Sequence, residues 1–289
     1  MSEDERRRPA GEGGFAVRRI VVALDSSAHA SAALEAAAAL AERLEAELEG
    51  LFVEDIDLLN LAALPFGDEF SLTTGARRRL DTKALEDQLR LEAARARRAL
   101  DEAARRSRVH ATFRVARGRV PAEVMAAAEG ADLLILGAAG HAIGVRFRPG
   151  RVALAAAASA PRSVLLLRSG ARFTGKPLVP YDGSPGAEKA LATAAALARL
   201  NGGRVSVLIT EPDPRKAAAL RERASQLLGA AGVTAVLREE LEPTLDTLCR
   251  LIARTDSDVL VMSADDPRLT GEGSLRLLER VACPVLLVR

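Results

Sequence analysis

The chain has 289 residues, 48% of them hydrophobic, and its 41 basic and 39 acidic side chains leave a formal net charge of +2. So balanced a charge shows no basic footprint, so nucleic-acid binding is not indicated, and no apolar stretch approaches the roughly 20 residues that span a bilayer. The two cysteines lie far apart and form no CxxC pair, so neither a zinc site nor a redox dithiol is indicated. These features indicate a globular cytoplasmic protein of one large or two ordinary domains.

Strands and helices alternate through the first half of the chain. Residues 1–16 are charged and then rich in glycine, and we expect a disordered tail there. An apolar strand from Arg18 to Leu24 ends at Asp25, and Ser27 is a suitable N-cap for the helix that follows. Further strands, separated by helices, are predicted at 47–53, 110–116, 133–136 and 162–168. This alternation predicts a parallel sheet with right-handed crossovers.

An insertion interrupts the alternation at residues 54–82. It contains Pro65, Gly67 and Gly75 among several leucines, and we interpret it as irregular. Its apolar side chains make it the best candidate for a contact with a protein partner or for a lid, although it could equally cap the edge of the sheet. The charged helix expected from about 83 to 106 has i,i+4 pairs that are typical of a solvated face.

The whole pattern then repeats in the second half. KPLVPYDGS echoes RRIVVALDSS at an offset of 157 positions, which aligns Asp182 with Asp25. In the fourth strand ADLL recurs as SDVL at an offset of only 126, so the second copy is 31 residues shorter before that strand, about the length of the insertion. We therefore predict a tandem duplication. Its parts are domain 1, a linker and domain 2, at residues 17–168, 169–175 and 176–289.

A glycine-punctuated loop follows the fourth strand of domain 1. It contains Gly137, Gly140 and Gly150, and it leads into a short helix that begins with Arg151. A loop that leaves a strand, exposes backbone N–H groups and feeds a helix N-terminus suits an anion, and glycine lets that backbone approach a phosphate closely. By glycine content alone, an ordinary surface loop with an arginine-rich face is an equal alternative.

The spacing of the three loop glycines resembles the ATP-binding signature of the universal stress protein family. In that family the last glycine is followed by Ser or Thr, whereas Arg151 occupies the position here. The resemblance extends over both halves and includes ACPVLLV near the end of the second. It implies an α/β fold of two tandem doubly wound domains, each a five-stranded parallel sheet with strand order 3-2-1-4-5, packed through their last strands as an intramolecular pseudo-dimer.

For the site, the resemblance implies an adenine nucleotide, ATP or a relative, with or without Mg²⁺. The crevice would lie at the carboxyl ends of the first and fourth strands, where the strand order reverses. Asp25 would accept hydrogen bonds from the adenine or the ribose, and Gly118 belongs to the same implied site. The backbone at Gly137 and Gly140 would surround the phosphates, and N–H groups near Gly150 would donate to them.

Two features of this implied site need separate interpretation. The Arg151 guanidinium could pair a phosphate bidentately, or it could fill the pocket. In domain 2, Ser263 and Asp266 stand where the first two loop glycines of domain 1 stand, and Asp265 adds a second carboxylate. Carboxylates repel phosphates unless a cation intervenes, so we predict that domain 2 is degenerate for ATP and keeps Asp182 mainly as a turn or N-cap residue.

Taken together, the sequence predicts a cytoplasmic stress-response or regulatory module that binds an adenine nucleotide in domain 1, with domain 2 as its structural partner. The first alternative is a nucleotide-independent scaffold that binds another protein through residues 54–82. A slow ATP hydrolase is less favoured, because no general base or metal-carboxylate pair is evident near the loop. No catalytic residue and no resident metal ligand are predicted, and further oligomerisation is left open.

Overall fold

The computed structural model describes residues 17–25, 27–64, 68–70, 77–79, 82–138, 149–168, 173–239 and 244–289. The chain divides into two compact units, one running from Arg18 to Gly170 and the other containing Ala171–Arg289. We call them domain 1 and domain 2. The tail expected over residues 1–16 lies outside the described residues. None of the helices in the described ranges is both long and apolar enough to cross a membrane.

Domain 1 is a five-stranded parallel sheet with helices between its strands. Its elements are β1 (Arg19–Leu24), α1 (Ala28–Leu44), β2 (Glu47–Asp55), α2 (Ile56–Ala63), β3 (Asp68–Phe70), β4 (Arg77–Arg79), α3 (Thr82–Ser107), β5 (Ala111–Gly118), α4 (Val120–Glu129), β6 (Leu133–Gly137), α5 (Arg151–Ser159) and β7 (Ser163–Leu167). The strands pair in the order β5-β2-β1-β6-β7, which confirms the predicted order 3-2-1-4-5.

Domain 2 repeats this architecture without the insertion. Its elements are β8 (Pro177–Tyr181), α6 (Pro185–Arg199), β9 (Arg204–Ile209), α7 (Pro214–Ala230), β10 (Thr234–Glu239), α8 (Leu245–Arg254), β11 (Val259–Ser263), a 3₁₀ turn (Pro267–Leu269), α9 (Gly273–Arg280) and β12 (Val285–Val288). The parallel order is β10-β9-β8-β11-β12, the same order again.

Small apolar residues hold each sheet against its first helix. Strand β1 reads RIVVAL, and its Ile20 and Val22 are fully buried. On α1, Ala33, Ala37 and Ala41 are also fully buried, so the helix can approach the sheet closely. The expected N-cap is confirmed, because the Ser27 hydroxyl accepts the backbone N–H of Ala30 at 3.2 Å. The strand ends are thereby fixed relative to the helix that starts beside them.

The interpretation of the insertion as irregular is wrong over its described residues. Asp55 is the last residue of β2 and also the N-cap of α2, because its Oδ1 accepts the N–H of Asp57 at 2.9 Å. One face of α2 is buried through Leu59 and Ala62. Strands β3 and β4 then form an antiparallel pair. Each of these elements is shorter than a periodicity argument can detect.

Candidate functional site

A cavity of about 260 Å³ opens at the carboxyl ends of β1, β2 and β6 in domain 1. Asp25 and Gly137, which were predicted to flank a ligand, both line it. Strand β1 pairs with β2 on one side and with β6 on the other, so the cavity lies where the strand order reverses. The volume is slightly below the roughly 300–1,000 Å³ of typical ligand pockets and suits one ring system with a few polar groups.

The walls of the cavity are mostly apolar. Leu51 and Phe52 of β2 are buried beneath it, and Leu136 comes from the end of β6. Val124 of α4 and Val152 of α5 close one side. An apolar crevice with a few polar groups at its edge is the usual form of a small-molecule site, because burial supplies affinity and the polar groups fix orientation.

Three carboxylates supply the charged groups of this cavity. The Oδ1 of Asp25 accepts the N–H of Ser27 at 2.8 Å, and Asp55 makes the equivalent bond to Asp57. Glu92 of α3 also lines the cavity and accepts a hydrogen bond from Gln88. Each carboxylate therefore keeps acceptor capacity for a ligand. No lysine or arginine is among the described lining residues, so these charged groups favour a ligand that presents N–H or O–H donors.

Gly137 allows the end of β6 to lie against the first turn of α1. A Cβ atom on Gly137 would lie 2.9 Å from both the carbonyl carbon and the carbonyl oxygen of His29. Any larger residue would have to displace helix backbone, so packing alone requires a glycine there.

Helix α5 begins beside the cavity. Gly150 is its N-cap and has no side chain to satisfy the first-turn N–H groups. Val152 lines the cavity, whereas Arg151 is exposed and is not among the lining residues. The guanidinium therefore does not fill the pocket. Gly140, the remaining loop glycine of the predicted site, lies outside the described residues.

Gly118 stands apart from the cavity walls. It is the last residue of β5, and the side chain of Glu123 lies so close that a Cβ atom on Gly118 would overlap the carboxylate. Gly118 is not among the residues that line the cavity. Because the Glu123 side chain is flexible and can move aside, this contact does not by itself require a glycine, and the role of Gly118 in ligand binding stays a prediction.

Domain 2 fills the corresponding region differently. Tyr181 occupies the position of Leu24 and is fully buried. Burial and the nearby Glu188 carboxylate raise the pKa of Tyr181. Leu220 of α7 packs so closely on Gly183 that a Cβ atom there would overlap it. Large side chains thus occupy the end of β8.

Contacts within the loop after β11 hold its residues together. Asp266 accepts the backbone N–H of Arg268 at 2.9 Å and its Nε at 2.8 Å, and both side chains are largely buried. The Ser274 hydroxyl donates to the Leu269 carbonyl at 3.0 Å. A Cβ atom on Gly273 would overlap the Arg268 carbonyl oxygen. The sequence interpretation treated Asp266 as a bare charge, but its guanidinium partner lies two residues further on.

Sequence reasoning missed Asp55, Leu58 and Glu92 as cavity residues. Asp55 had a usable signal, since it ends a strand beside β1 and parallel strands bring their carboxyl ends to one edge of the sheet. Leu58 and Glu92 depend on where α2 and α3 pack, which no local pattern shows. Among the described residues, no group of three or more His, Cys, Asp or Glu side chains could hold a metal ion.

Comparison with known proteins gives a family match and several similar folds. The model of the Universal stress protein family matches residues 16–168. A universal stress protein from Archaeoglobus fulgidus has a TM-score of 0.73 at 17% identity, covering 94% of this chain and 98% of its own. A putative universal stress protein from Pseudomonas aeruginosa has a TM-score of 0.58 at 19% identity, covering 95% and 94%. These likenesses show the fold. No curated protein matches the sequence.

Proposed function

The chain belongs to the universal stress protein family, and from this premise we propose that it is a cytoplasmic stress-response regulator that binds an adenine nucleotide in domain 1. Domain 2 serves as the structural partner. The observation that carries the proposal is the convergence of Asp25 and Gly137, from two different strands, on one apolar cavity at the switch point of the sheet.

In this proposal the nucleoside occupies the cavity and the phosphates extend towards α5. The adenine would be buried against the apolar walls, and the ribose hydroxyls would donate to the free oxygen of Asp25. The unsatisfied N–H groups in the first turn of α5 and the exposed Arg151 would hold the phosphates. Mg²⁺ would be held mainly by the phosphates, as is usual for a nucleotide-bound ion.

A second candidate function is a scaffold that works without nucleotide. The observation in its favour is the outer face of α2, where Ile56 and Leu61 are exposed, together with its C-cap Leu64, which is 52% exposed. An exposed apolar helix face is a common site for a protein partner. Slow ATP hydrolysis has no comparable observation in its favour, and we propose no catalytic residue.

Thermal unfolding with and without ATP and Mg²⁺ tests the proposal. ATP at about 100 times its dissociation constant adds about 2.7 kcal/mol to the domain that binds it, a shift of roughly 5–10 °C for a domain of about 150 residues. The variant Asp25→Ala should abolish the shift. Asp182→Ala is the matched control, because Asp182 accepts the N–H of Ser184 at 2.9 Å in the equivalent turn of domain 2.

The outcomes separate the candidate functions. A shift that Asp182→Ala keeps and Asp25→Ala loses supports nucleotide binding in domain 1. No shift of the wild-type protein at millimolar ATP would contradict nucleotide binding and favour the scaffold. Release of phosphate under the same conditions would favour the hydrolase.

A further inference from the structure

The two domains differ in the length of chain that follows their second strand, β2 in domain 1 and β9 in domain 2. In domain 1, 26 residues (56–81) separate β2 from α3 and include α2, whereas in domain 2 only residues 210–213 separate β9 from α7. Helix α2 begins directly at the end of β2, beside the cavity. The segment that domain 2 lacks therefore starts where a ligand of domain 1 would lie.

Two side chains at the start of α2 reach the cavity. Asp55 and Leu58 both line it, although Leu58 is 46% exposed. Leu61 lies one turn further along the same helix, is 48% exposed, and is not among the lining residues. The two leucines are thus matched in chemistry and exposure and differ in contact with the cavity.

The chemistry of these two side chains suits a flat base that carries an amino group. A ring in the cavity would cover the exposed face of Leu58 and remove that apolar surface from water. Asp55 commits one oxygen to capping α2, which leaves its other oxygen as an acceptor. A carboxylate acceptor favours an exocyclic amine over a carbonyl at the same ring position, because two acceptors facing each other leave a polar group unpaired.

We propose that the insertion completes the base-binding part of the domain 1 cavity, with Leu58 packing on the adenine ring and Asp55 accepting a hydrogen bond from its exocyclic amine. This inference rests on the proposed nucleotide function and assigns base specificity to Leu58 of α2 and to its N-cap, Asp55. It makes the start of α2 a wall of the site, and it predicts that the chain discriminates adenine from hypoxanthine, whose ring carries a carbonyl where adenine carries the amine.

Titration calorimetry of the full chain with Mg²⁺ and either ATP or inosine triphosphate tests the role of Leu58. Leu58→Ala should weaken ATP binding roughly tenfold, since it removes apolar contact that the base would bury. Leu61→Ala should leave the ATP affinity within about twofold of wild type, because Leu61 does not line the cavity. Unliganded melting of both variants controls for folding.

The variant Asp55→Asn tests whether Asp55 accepts a hydrogen bond from the exocyclic amine of the base. Asparagine caps a helix as well as aspartate does, so α2 should persist, while the side-chain amide now offers a donor to the ligand. Wild type should prefer ATP over inosine triphosphate by about tenfold, and the variant should lose or reverse that preference. Asp57→Asn on the same helix is the control, since Asp57 pairs with Arg119 at the surface and is not among the lining residues.

The results test two proposals separately: nucleotide binding in domain 1, and the role of Asp55 and Leu58 in base recognition. If wild type binds neither triphosphate, the nucleotide function itself is wrong. If wild type binds ATP but Leu58→Ala matches Leu61→Ala, or Asp55→Asn keeps the preference for ATP, the role of the insertion is wrong and the nucleotide function stands. Loss of affinity with Leu58→Ala, together with a changed base preference in Asp55→Asn but not Asp57→Asn, supports the inference.

Discussion

Domains 1 and 2 share their sheet order and the turn after their first strand, yet they differ at the opposite side of the crevice. Asp25 and Asp182 each accept the N–H of the residue two positions on, Ser27 and Ser184, which in turn cap the next helix. The aspartate is thus explained in both domains by turn chemistry. What distinguishes a candidate site from a structural turn is the environment that the other elements build around it.

The sharpest difference concerns one close contact between the fourth strand and the first helix. In domain 1 the glycine is on the strand, as Gly137, and faces His29. In domain 2 the glycine is on the helix, as Gly186, and a Cβ atom there would overlap the hydroxyl of Ser263. In both domains the fourth strand and the first helix therefore approach closely. The residue that carries a side chain at this contact is on the helix in domain 1 (His29) and on the strand in domain 2 (Ser263).

The largest effect is expected from Gly273→Ala in domain 2. The new methyl group would overlap the Arg268 carbonyl oxygen, and since that atom is backbone the closed loop must open. We expect a loss of about 3 kcal/mol in the free energy of unfolding. Tyr181 is the single tyrosine and the chain has no tryptophan, so tyrosine fluorescence during denaturant unfolding reports on domain 2. Gly229→Ala, with open space around its Cβ position, should be neutral or stabilising. Equal effects would show that the loop is not closed as described.

Gly137→Ala should destabilise domain 1 by about 2 kcal/mol, because the added methyl would press on the backbone of His29. Gly186→Ala in domain 2 should cost less than Gly137→Ala, because its clash is with the side chain of Ser263, whose Cβ would lie 2.9 Å away and must shift, rather than with helix backbone, and because alanine favours the helix. Denaturant unfolding followed by circular dichroism and tyrosine fluorescence measures both. If the two substitutions lower the free energy of unfolding by the same amount, the position of the glycine, on the strand or on the helix, does not affect stability.

Arg268→Ala should cost about 1.5 kcal/mol in domain 2, because it leaves the largely buried Asp266 without its charged partner. Arg276→Ala is the control within the same region. Its partner is Glu272, both side chains are more than 60% exposed, and exposed pairs contribute about 0–1 kcal/mol. Denaturant midpoints of the two variants give the comparison. A control that costs as much as Arg268→Ala would show that the loop contact adds nothing beyond a surface ion pair.

The smallest effect concerns the thiols, which occur only in domain 2. Burial raises the pKa of Cys283 from 9.0 to about 12. The folded thiol then keeps its proton where the unfolded thiol loses it, so its stabilising contribution is complete below pH 9 and is lost as the pH rises towards 12. Between pH 9 and 10 this amounts to about 1 kcal/mol. Cys283→Ala should flatten that part of the stability profile of domain 2, and an unchanged slope would contradict the shift.

The fold could be predicted from the sequence because its signals are local. Apolar runs, the Ser27 cap and the internal offsets define the strands, the helices and the duplication. The cavity could be predicted only in part. Asp25 and Gly137 end neighbouring strands, which topology brings together, but Leu58 belongs to a helix too short for a periodic signal. The pairing of Asp266 with Arg268 depends on a turn whose geometry the residue types do not specify.

The central claim is that domain 1 has kept a ligand cavity which the corresponding part of domain 2 fills with its own side chains. Hydrogen exchange of the full chain with and without ATP and Mg²⁺ tests it most directly. We expect new protection at the carboxyl ends of β1 and β6 and at the start of α2, with none at the ends of β8 and β11. Protection at the ends of β8 and β11, alone or to the same degree, would contradict it.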